Sequence, residues 1–209
     1  MTVFDFLKEL TNPESIIKYG GITLLLFIVF AETGLLIGFF LPGDSLLFTS
    51  GLLCGIGIFK INILLLVFGL CLAAIIGNIV GYFFGLKAGT TLFKKNDSLI
   101  FKKKYLQLTH NFYTKHGGKT LILGRFLPIV RTFAPILAGV IKIDFKKFMY
   151  YNIIGSFLWV LTLVLCGYFL GKNFPWLNNY LEYIVVLLII ITLIPLLQAY
   201  FKRIKTPQA

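Results

Sequence analysis

The stretch Gly124-Arg125-Phe126-Leu127-Pro128 repeats Gly38-Phe39-Phe40-Leu41-Pro42, which lies 86 residues earlier in the chain. At the same offset, Gly167-Tyr168-Phe169-Leu170-Gly171 repeats Gly81-Tyr82-Phe83-Phe84-Gly85. The register between these anchors holds without a gap, so the chain contains an internal duplication. In a strongly apolar sequence, such a duplication is typical of membrane transporters built from two repeats, whose site lies where the repeats meet.

The composition is that of a membrane protein. Of the 209 residues, 58% are hydrophobic, whereas soluble domains contain roughly 45–50% apolar residues. Three runs without a charged residue, 61–86, 148–171 and 183–201, approach or exceed the roughly 20 residues that cross a bilayer core. We therefore predict an all-α polytopic protein with a single membrane domain, residues 1–209, and a transmembrane helix over each run.

Much of the formal net charge of +12 is concentrated in two places. Residues 87–119 contain eight lysines and one aspartate, and Lys202, Arg203 and Lys205 follow the last apolar run. Excess Lys and Arg marks cytoplasmic loops. We therefore predict that 87–119 is a basic cytoplasmic amphipathic segment and that the C-terminus is cytoplasmic. Contact of these lysines with anionic lipid headgroups is the alternative, and a nucleic-acid partner is not expected.

Prolines interrupt two of the apolar stretches. Pro42-Gly43 divides residues 21–58, and Pro128 and Pro135 divide residues 120–141. A proline in a helix interior costs about 3 kcal/mol and leaves a carbonyl without its helical donor. In a membrane this is tolerated only where protein or a wet cavity covers the carbonyl. We therefore predict a re-entrant helical hairpin over each stretch, followed in each case by a spanning helix.

The charges also predict the direction of each hairpin. With 87–119 inside, the helix over 61–86 ends inside, so the first hairpin leaves on the outer face. The lysines of 142–147 place the exit of the second hairpin on the cytoplasmic side. The repeats are therefore predicted to be inverted, with the hairpin tips meeting near mid-membrane. Residues 1–18 are predicted to form an interfacial amphipathic helix interrupted at Pro13.

Four ionisable residues fall inside apolar sequence: Glu32, Asp44, Arg125 and Arg131. Each costs about 2.5–3.5 kcal/mol at the centre of a membrane helix, so we expect the four to converge. Their charges sum to zero, and purely structural pairing is one explanation. Stability alone accounts for them poorly, because replacing a buried ion pair with apolar residues is often neutral or stabilising.

The types of these residues favour an anionic ligand. Arginine offers a planar, bidentate guanidinium that suits phosphate, and Arg125 and Arg131 flank Pro128, where a broken helix exposes backbone donors. We predict that both arginines bind a phosphate headgroup. A phosphate that enters a neutral cluster adds negative charge in a low dielectric, so Glu32 and Asp44 are expected to take up protons. This gives a physical route to proton coupling.

At these residues the chain resembles the DedA family of bacterial membrane proteins, also called the VTT or SNARE-associated family. The resemblance covers roughly residues 15–200. It is carried by two acidic segments, the arginine motif with its spacing, a small-residue pair and three residues of the following helix. These are Glu32-Thr33-Gly34, Phe39-Phe40-Leu41-Pro42-Gly43-Asp44, Gly124-Arg125-Phe126-Leu127-Pro128-Ile129-Val130-Arg131-Thr132-Phe133-Ala134-Pro135, Ala138-Gly139, and Asn152, Gly155 and Trp159.

The resemblance implies six membrane segments, two of them re-entrant hairpins, in the bacterial inner membrane. It implies lipid translocation that depends on the proton motive force, including the return of the undecaprenyl phosphate carrier. Glu32, Asp44, Arg125 and Arg131 match the required acidic and basic residues of the family. Members also move phosphatidylethanolamine, and some are regarded as proton-coupled ion or drug transporters, so these substrates stay open, as does a homo-oligomer.

An enzyme that acts on lipid phosphates is the competing interpretation. Acid-type lipid phosphatases need a histidine nucleophile near their arginines and a second histidine as acid. Here His110 and His116 both fall in the lysine-rich segment, and the sequence contains no Walker A motif, so we do not expect an enzyme. Cys54, Cys71 and Cys166 lie in apolar runs without ligand spacing, so no disulfide, metal or cofactor is expected.

Overall fold

The computed structural model of this chain describes residues 13–35, 43–92, 121–122, 124–126, 128–174 and 176. These residues contain no β-strand, which confirms the all-helical class for the described part of the chain. The predictions for 1–12, for 93–120 and for the third spanning helix, 183–201, lie outside them. The elements in chain order are α1 (Pro13–Gly34), α2 (Gly43–Gly55), α3 (Ile63–Leu92), a 3-10 turn (Gly124–Phe126), α4 (Pro128–Val140) and α5 (Phe145–Asn173).

Two of the helices, α3 and α5, are long and apolar. They contain 30 and 29 residues, or about 45 and 43 Å at 1.5 Å per residue, against a bilayer core of about 30 Å. Both are apolar enough to cross a membrane, over Ile63–Ala88 and Phe145–Asn173. Their exposed faces carry large apolar side chains, which suits contact with lipid: Leu64, Phe68, Leu72, Ile76 and Val80 on α3, and Ile153, Phe157 and Phe169 on α5.

The two predicted re-entrant hairpins each contain a short helix, α2 in the first and α4 in the second. α2 and α4 have 13 residues each, about 20 Å, which is less than the bilayer core. Gly43 begins α2, and Pro128 begins α4, where its missing N–H costs nothing because the first helical donors have no partner within the helix. Pro135 lies inside α4, so the helix continues through the residue where the sequence predicts a break. The ring removes one donor, to the carbonyl of Arg131, and α4 packs against α3 at this point.

The first helix is kinked. α1 begins at Pro13, which therefore starts a helix, although the sequence predicts an interruption there. At Gly21 the backbone has φ 56° and ψ −154°, a conformation that residues with a Cβ rarely adopt. The kink separates residues 13–20 from 22–34, close to the predicted boundary between the interfacial helix and the first hairpin.

The chain divides into two compact units. Their described residues are 13–21, 43–63, 163–174 and 176 in unit 1, and 22–35, 64–92, 121–122, 124–126 and 128–162 in unit 2. In unit 1, α2 packs against the C-terminal part of α5. Gly55 lies against the Tyr168 carbonyl, and Gly171 lies against the Leu52 carbonyl, so closely that a Cβ at either glycine would overlap with the oxygen.

Unit 2 repeats this arrangement with different helices. Here α4 packs against α3, with Gly139 against the Tyr82 carbonyl and Gly85 against the Ile136 carbonyl. Each unit thus combines the short helix of one sequence repeat with the long helix of the other.

The two sets of contacts correspond at slightly different offsets. The long-helix partners, such as Tyr82 and Tyr168, lie 86 residues apart, whereas Gly55 and Gly139 lie 84 apart. The predicted ungapped register therefore does not hold for the contacts of the short helices. The turn after each short helix contains one residue with a positive φ, Gly57 (81°) after α2 and Lys142 (55°) after α4.

Candidate functional site

Glu32 is positioned by close packing of α1 on α3 in unit 2. A Cβ at Gly34 would lie 2.8 Å from the carbonyl oxygen of Gly77, so the two backbones are in contact here. The neighbouring Thr33 hydroxyl donates to the Val29 carbonyl of its own helix at 2.8 Å. Glu32 itself is 1% exposed. The glycine pair therefore places a carboxylate inside the unit.

Arg131 on α4 forms a buried ion pair with Glu32. Its Nη2 donates to Glu32 Oε1, and Arg131 is 4% exposed. The guanidinium carbon lies 4.5 Å from the ring centroid of Trp159 on α5, a cation–π contact. Of the four charged residues predicted to converge, the structure therefore brings together one arginine and one carboxylate. It also shows an aromatic ring in contact with the arginine.

Tyr82 orients α4 relative to α5. Its hydroxyl donates to the Ile143 carbonyl at 2.5 Å, and its ring stacks on Phe148 with 4.6 Å between centroids. These contacts hold the turn between the two helices against α3. Since Arg131 precedes this turn and Trp159 follows it, the turn fixes the helices that meet at the ion pair.

Arg125 lies on the 3-10 turn and is 5% exposed. A Cβ at Gly155 would lie 2.7 Å from both Cδ and Nε of Arg125, so this glycine makes room for the arginine side chain. Arg125 Nη2 donates to Asn152 Oδ1 at 2.5 Å. Within the described residues of unit 2, Arg125 forms no ion pair, so its only hydrogen-bond partner there is a neutral amide.

Two asparagines connect Arg125 to α3. Asn78 Nδ2 donates to Asn152 Oδ1 at 3.0 Å and to its own helix at the Ala74 carbonyl, 2.9 Å away. Asn152 Nδ2 donates to the Ile75 carbonyl at 3.2 Å. Asn78 and Asn152 are 0% and 1% exposed, and such bonds between membrane helices contribute about 0.6–2 kcal/mol each.

We call six buried polar residues of unit 2 the cluster: Glu32, Asn78, Arg125, Arg131, Asn152 and Ser156. Several of its atoms have no hydrogen-bond partner among the described residues. Nη1 of Arg125, Oδ1 of Asn78 and Oγ of Ser156 are buried and have no partner among the described residues. Buried polar atoms of this kind ordinarily bind a protein group, a water or a ligand. Glu32, Arg125 and Arg131 together carry a formal charge of +1, so the geometry suits an anion with several hydrogen-bonding oxygens.

The fourth predicted charge, Asp44, belongs to the other unit. It lies half-buried in the first turn of α2, in unit 1. Its convergence with the arginines stays a prediction. Of the predicted hairpin-break residues, Pro42 lies outside the described part of the chain. Among the described residues, no three His, Cys, Asp or Glu side chains come together as a metal site requires.

Sequence reasoning did not identify Asn78 and Ser156 as members of the cluster. Asn78 is a polar residue in the middle of the charge-free run 61–86, where an unpartnered amide is costly. That cost is the signal by which it could have been found. Its partner Asn152 enters the sequence argument only through the family resemblance.

Comparison with known proteins places the chain in a family. A family model for the VTT domain matches residues 41–169. Protein DedA of Escherichia coli (strain K12) is 44% identical over 184 residues, which cover 87% of this chain and 84% of that protein. An uncharacterized membrane protein of Mycobacterium leprae (strain TN) is 40% identical over 188 residues, 90% of this chain and 83% of that protein.

A further relative is the inner membrane protein YqjA of Escherichia coli (strain K12). It is 38% identical over 172 residues, 81% of this chain and 74% of that protein. No solved structure matches the chain significantly. The family match over the arginine motif and both long helices, together with relatives similar over most of their length, leads to one conclusion: the chain is a membrane protein of the DedA family, with a VTT domain.

Proposed function

We propose that this protein is a lipid translocase of the bacterial inner membrane that moves a phosphate-bearing lipid, with undecaprenyl phosphate as the first candidate, in a manner that depends on the proton motive force. One observation carries the proposal. Arg125 is buried, and among the described residues of unit 2 its hydrogen-bond partner is a neutral amide and not a carboxylate. A buried cation held in this way is costly without an anion, and a phosphate headgroup supplies one.

The coupling step follows from the charges. A phosphate that reaches Arg125 lies beside the Arg131–Glu32 ion pair and competes with Glu32 for Arg131. The displaced carboxylate then stands near an anion in a low dielectric, which favours its protonation. A phosphate monoester dianion changes the charge of these three residues from +1 to −1, and protonation of Glu32 brings the loaded site to zero. A neutral loaded site is easier to reorient across the membrane than a charged one. Asp44 is the second proposed titrating group. The lipid crosses unchanged, so the proposal includes no enzymatic step.

The proposed architecture is an inverted repeat. Two re-entrant hairpins, over 21–58 and 120–141, enter from opposite faces, and the C-terminus lies in the cytoplasm. The short lengths of α2 and α4 and the matching glycine contacts in the two units support this arrangement. Each hairpin tip then delivers one part of the site to mid-membrane.

Vesicles with defined lipids test the proposal. The full chain is reconstituted in phosphatidylcholine vesicles that contain labelled undecaprenyl phosphate, labelled phosphatidylethanolamine or labelled undecaprenol, which lacks the phosphate. We expect transfer of undecaprenyl phosphate, faster under an imposed pH gradient, and no transfer of undecaprenol. Transfer of phosphatidylethanolamine alone would favour the phospholipid alternative. Uptake of a cation or drug without lipid transfer would contradict the proposal.

Matched variants test the residues. Arg125→Lys keeps the charge but loses the planar guanidinium, so we expect loss of transfer without unfolding. Arg203→Lys makes the same change near the C-terminus and is the control. Glu32→Gln combined with Asp44→Asn, compared at equal amounts of folded protein, should uncouple transfer from the pH gradient. Unchanged pH-driven transfer in this double variant would contradict the coupling step.

A further inference from the structure

We propose that Asn152, held in place by Asn78, is a positioning residue that orients Arg125 without neutralising it, so that Arg125 and Arg131 have different roles. This inference rests on the proposed function and deepens it. Arg125 is the anion ligand of the site. Arg131, engaged by Glu32 and Trp159, belongs to the proton-linked pair.

The hydrogen bonds fix the orientation of both amides. A guanidinium can only donate, so the Asn152 atom that faces Arg125 is the oxygen Oδ1, and Nδ2 points to the Ile75 carbonyl. Asn78 meets two acceptors, Asn152 Oδ1 and the Ala74 carbonyl, so the atom that faces them is its nitrogen. No other assignment of the four amide atoms satisfies these partners, and the chain of bonds therefore has one direction.

Because the described partner of Arg125 is an amide, the hydrogen bonds leave the positive charge of the guanidinium in place. A carboxylate in the place of Asn152 would bind Arg125 more strongly than the amide does, but it would cancel the positive charge. The neutral amide holds one edge of the guanidinium through Nη2 and leaves the charge in place. It also leaves Nη1 of Arg125 without a partner among the described residues. The Ser156 hydroxyl, one helical turn after Asn152 on the same face of α5, is likewise buried and has no described partner. These are donors for phosphate oxygens.

The arrangement also provides an acceptor. Asn78 Oδ1 is buried and has no donor among the described residues. A P–OH group of a phosphate monoester or the ammonium group of an amine-bearing phosphodiester could donate to it. The binding experiment therefore compares undecaprenyl phosphate with phosphatidylethanolamine, and uses undecaprenol as the ligand without a phosphate.

Two substitutions of Asn152 distinguish a role in orienting Arg125 for binding from a role in stabilising the fold alone. Asn152→Asp keeps the acceptor oxygen that faces Arg125 and Asn78, loses the N–H donated to the Ile75 carbonyl, and adds a charge that pairs with Arg125. Asn152→Leu keeps the volume and removes the bonds but leaves the charge of Arg125. We expect Asn152→Asp to unfold at a higher temperature than Asn152→Leu and yet to bind undecaprenyl phosphate in nanodiscs more weakly. Its loss relative to wild type should be at least about tenfold.

A residue with only a structural role gives the opposite order. In that case the variant that unfolds at the higher temperature also binds more tightly, and this outcome would overturn the inference. Thr162→Val is the control on the same helix, since among the described residues the Thr162 hydroxyl bonds only within α5, to the Leu158 carbonyl at 2.7 Å. It should bind as wild type does.

A double-mutant cycle covers the case in which Asn152→Asp fails to fold. Asn78→Ala should weaken binding at least about fivefold in the wild-type background and have no further effect in the Arg125→Lys background, because lysine has no planar group to orient. Equal effects in both backgrounds would overturn the inference but leave the proposed function standing. No phosphate-dependent binding by the wild-type protein would overturn both.

Discussion

The contacts that the structure describes for Arg131 include a carboxylate and an indole ring. The ion pair with Glu32 is buried, and so is Trp159. Removal of one partner from a buried pair leaves an uncompensated charge, which costs about 3–5 kcal/mol, whereas apolar replacement of both partners is often neutral or stabilising. The pair is therefore expected to be sensitive to single substitutions and tolerant of a matched double substitution.

We expect Glu32→Gln to lower the free energy of unfolding by about 3–5 kcal/mol, and Glu32→Met combined with Arg131→Met to recover most of the loss. Chemical unfolding in detergent, followed by circular dichroism, measures both. Asp144→Asn is the control, since this exposed carboxylate caps α5 through the Lys147 N–H at 3.0 Å and asparagine caps equally well. A Glu32→Gln variant as stable as the control would show that the pair contributes nothing.

The sequence predicts the charged members of the site better than its neutral members. Glu32, Arg125 and Arg131 are conspicuous because charges in apolar runs are costly. The partner of each one depends on helix packing that a sequence pattern does not specify. That Arg131 binds Glu32 follows from the contact of α1 with α3, and that Arg125 binds an amide follows from the space left by Gly155.

At the scale of elements, glycines in contact with carbonyl groups hold the helices together. Gly85 on α3 meets the Ile136 carbonyl of α4, whereas Gly69 on the same helix meets only the Leu26 side chain, 3.3 Å from a Cβ at that position. Backbone atoms cannot move aside as a leucine methyl can. The two glycines therefore differ in their tolerance of a methyl group, although the sequence gives no reason to separate them.

We expect Gly85→Ala to lower the free energy of unfolding by about 1–3 kcal/mol, because α4 must move away from α3. Gly69→Ala should be neutral or stabilising by up to about 1 kcal/mol, because alanine favours the helix. Gly171→Ala tests the matching contact in unit 1 and should resemble Gly85→Ala. Equal losses at Gly69 and Gly85 in thermal unfolding would contradict the assignment of this contact.

The prolines show where prediction from sequence is limited. At Pro128 the expectation that a proline lies at a helix boundary is confirmed, since Pro128 begins α4. A proline is tolerated there because the N–H groups of the first turn have no partner within the helix. At Pro135 the chain stays helical, since packing of α4 on α3 compensates for one lost hydrogen bond. Tertiary packing of this kind decides whether an interior proline breaks a helix, and it is absent from the local pattern.

At the scale of the whole molecule, the duplication predicts the composition of the two units only in part. The anchors 86 residues apart correctly pair Tyr82 with Tyr168 as long-helix counterparts. The repeat alone does not reveal that each unit combines the short helix of one copy with the long helix of the other.

The inverted repeat that we propose places counterpart residues of the two copies on opposite sides of the membrane, which labelling can test. Lys60 and Lys146 lie 86 residues apart, and both side chains are exposed in turns before or at the start of a long helix. The native cysteines, Cys54, Cys71 and Cys166, are first replaced by alanine, and Lys60→Cys or Lys146→Cys is then introduced. A maleimide that cannot cross membranes is added to spheroplasts and to inverted vesicles.

We expect the cysteine at position 60 to be labelled in spheroplasts and the cysteine at position 146 only in inverted vesicles. The reason is that lysines concentrate at 142–147 and 87–119, which the positive-inside rule places in the cytoplasm, and α3 must cross from the outside to reach the second of these segments. Two parallel copies would instead place positions 60 and 146 on the same side. Labelling of both in the same preparation would therefore exclude the inverted repeat, and with it a site formed by hairpins that enter from opposite faces.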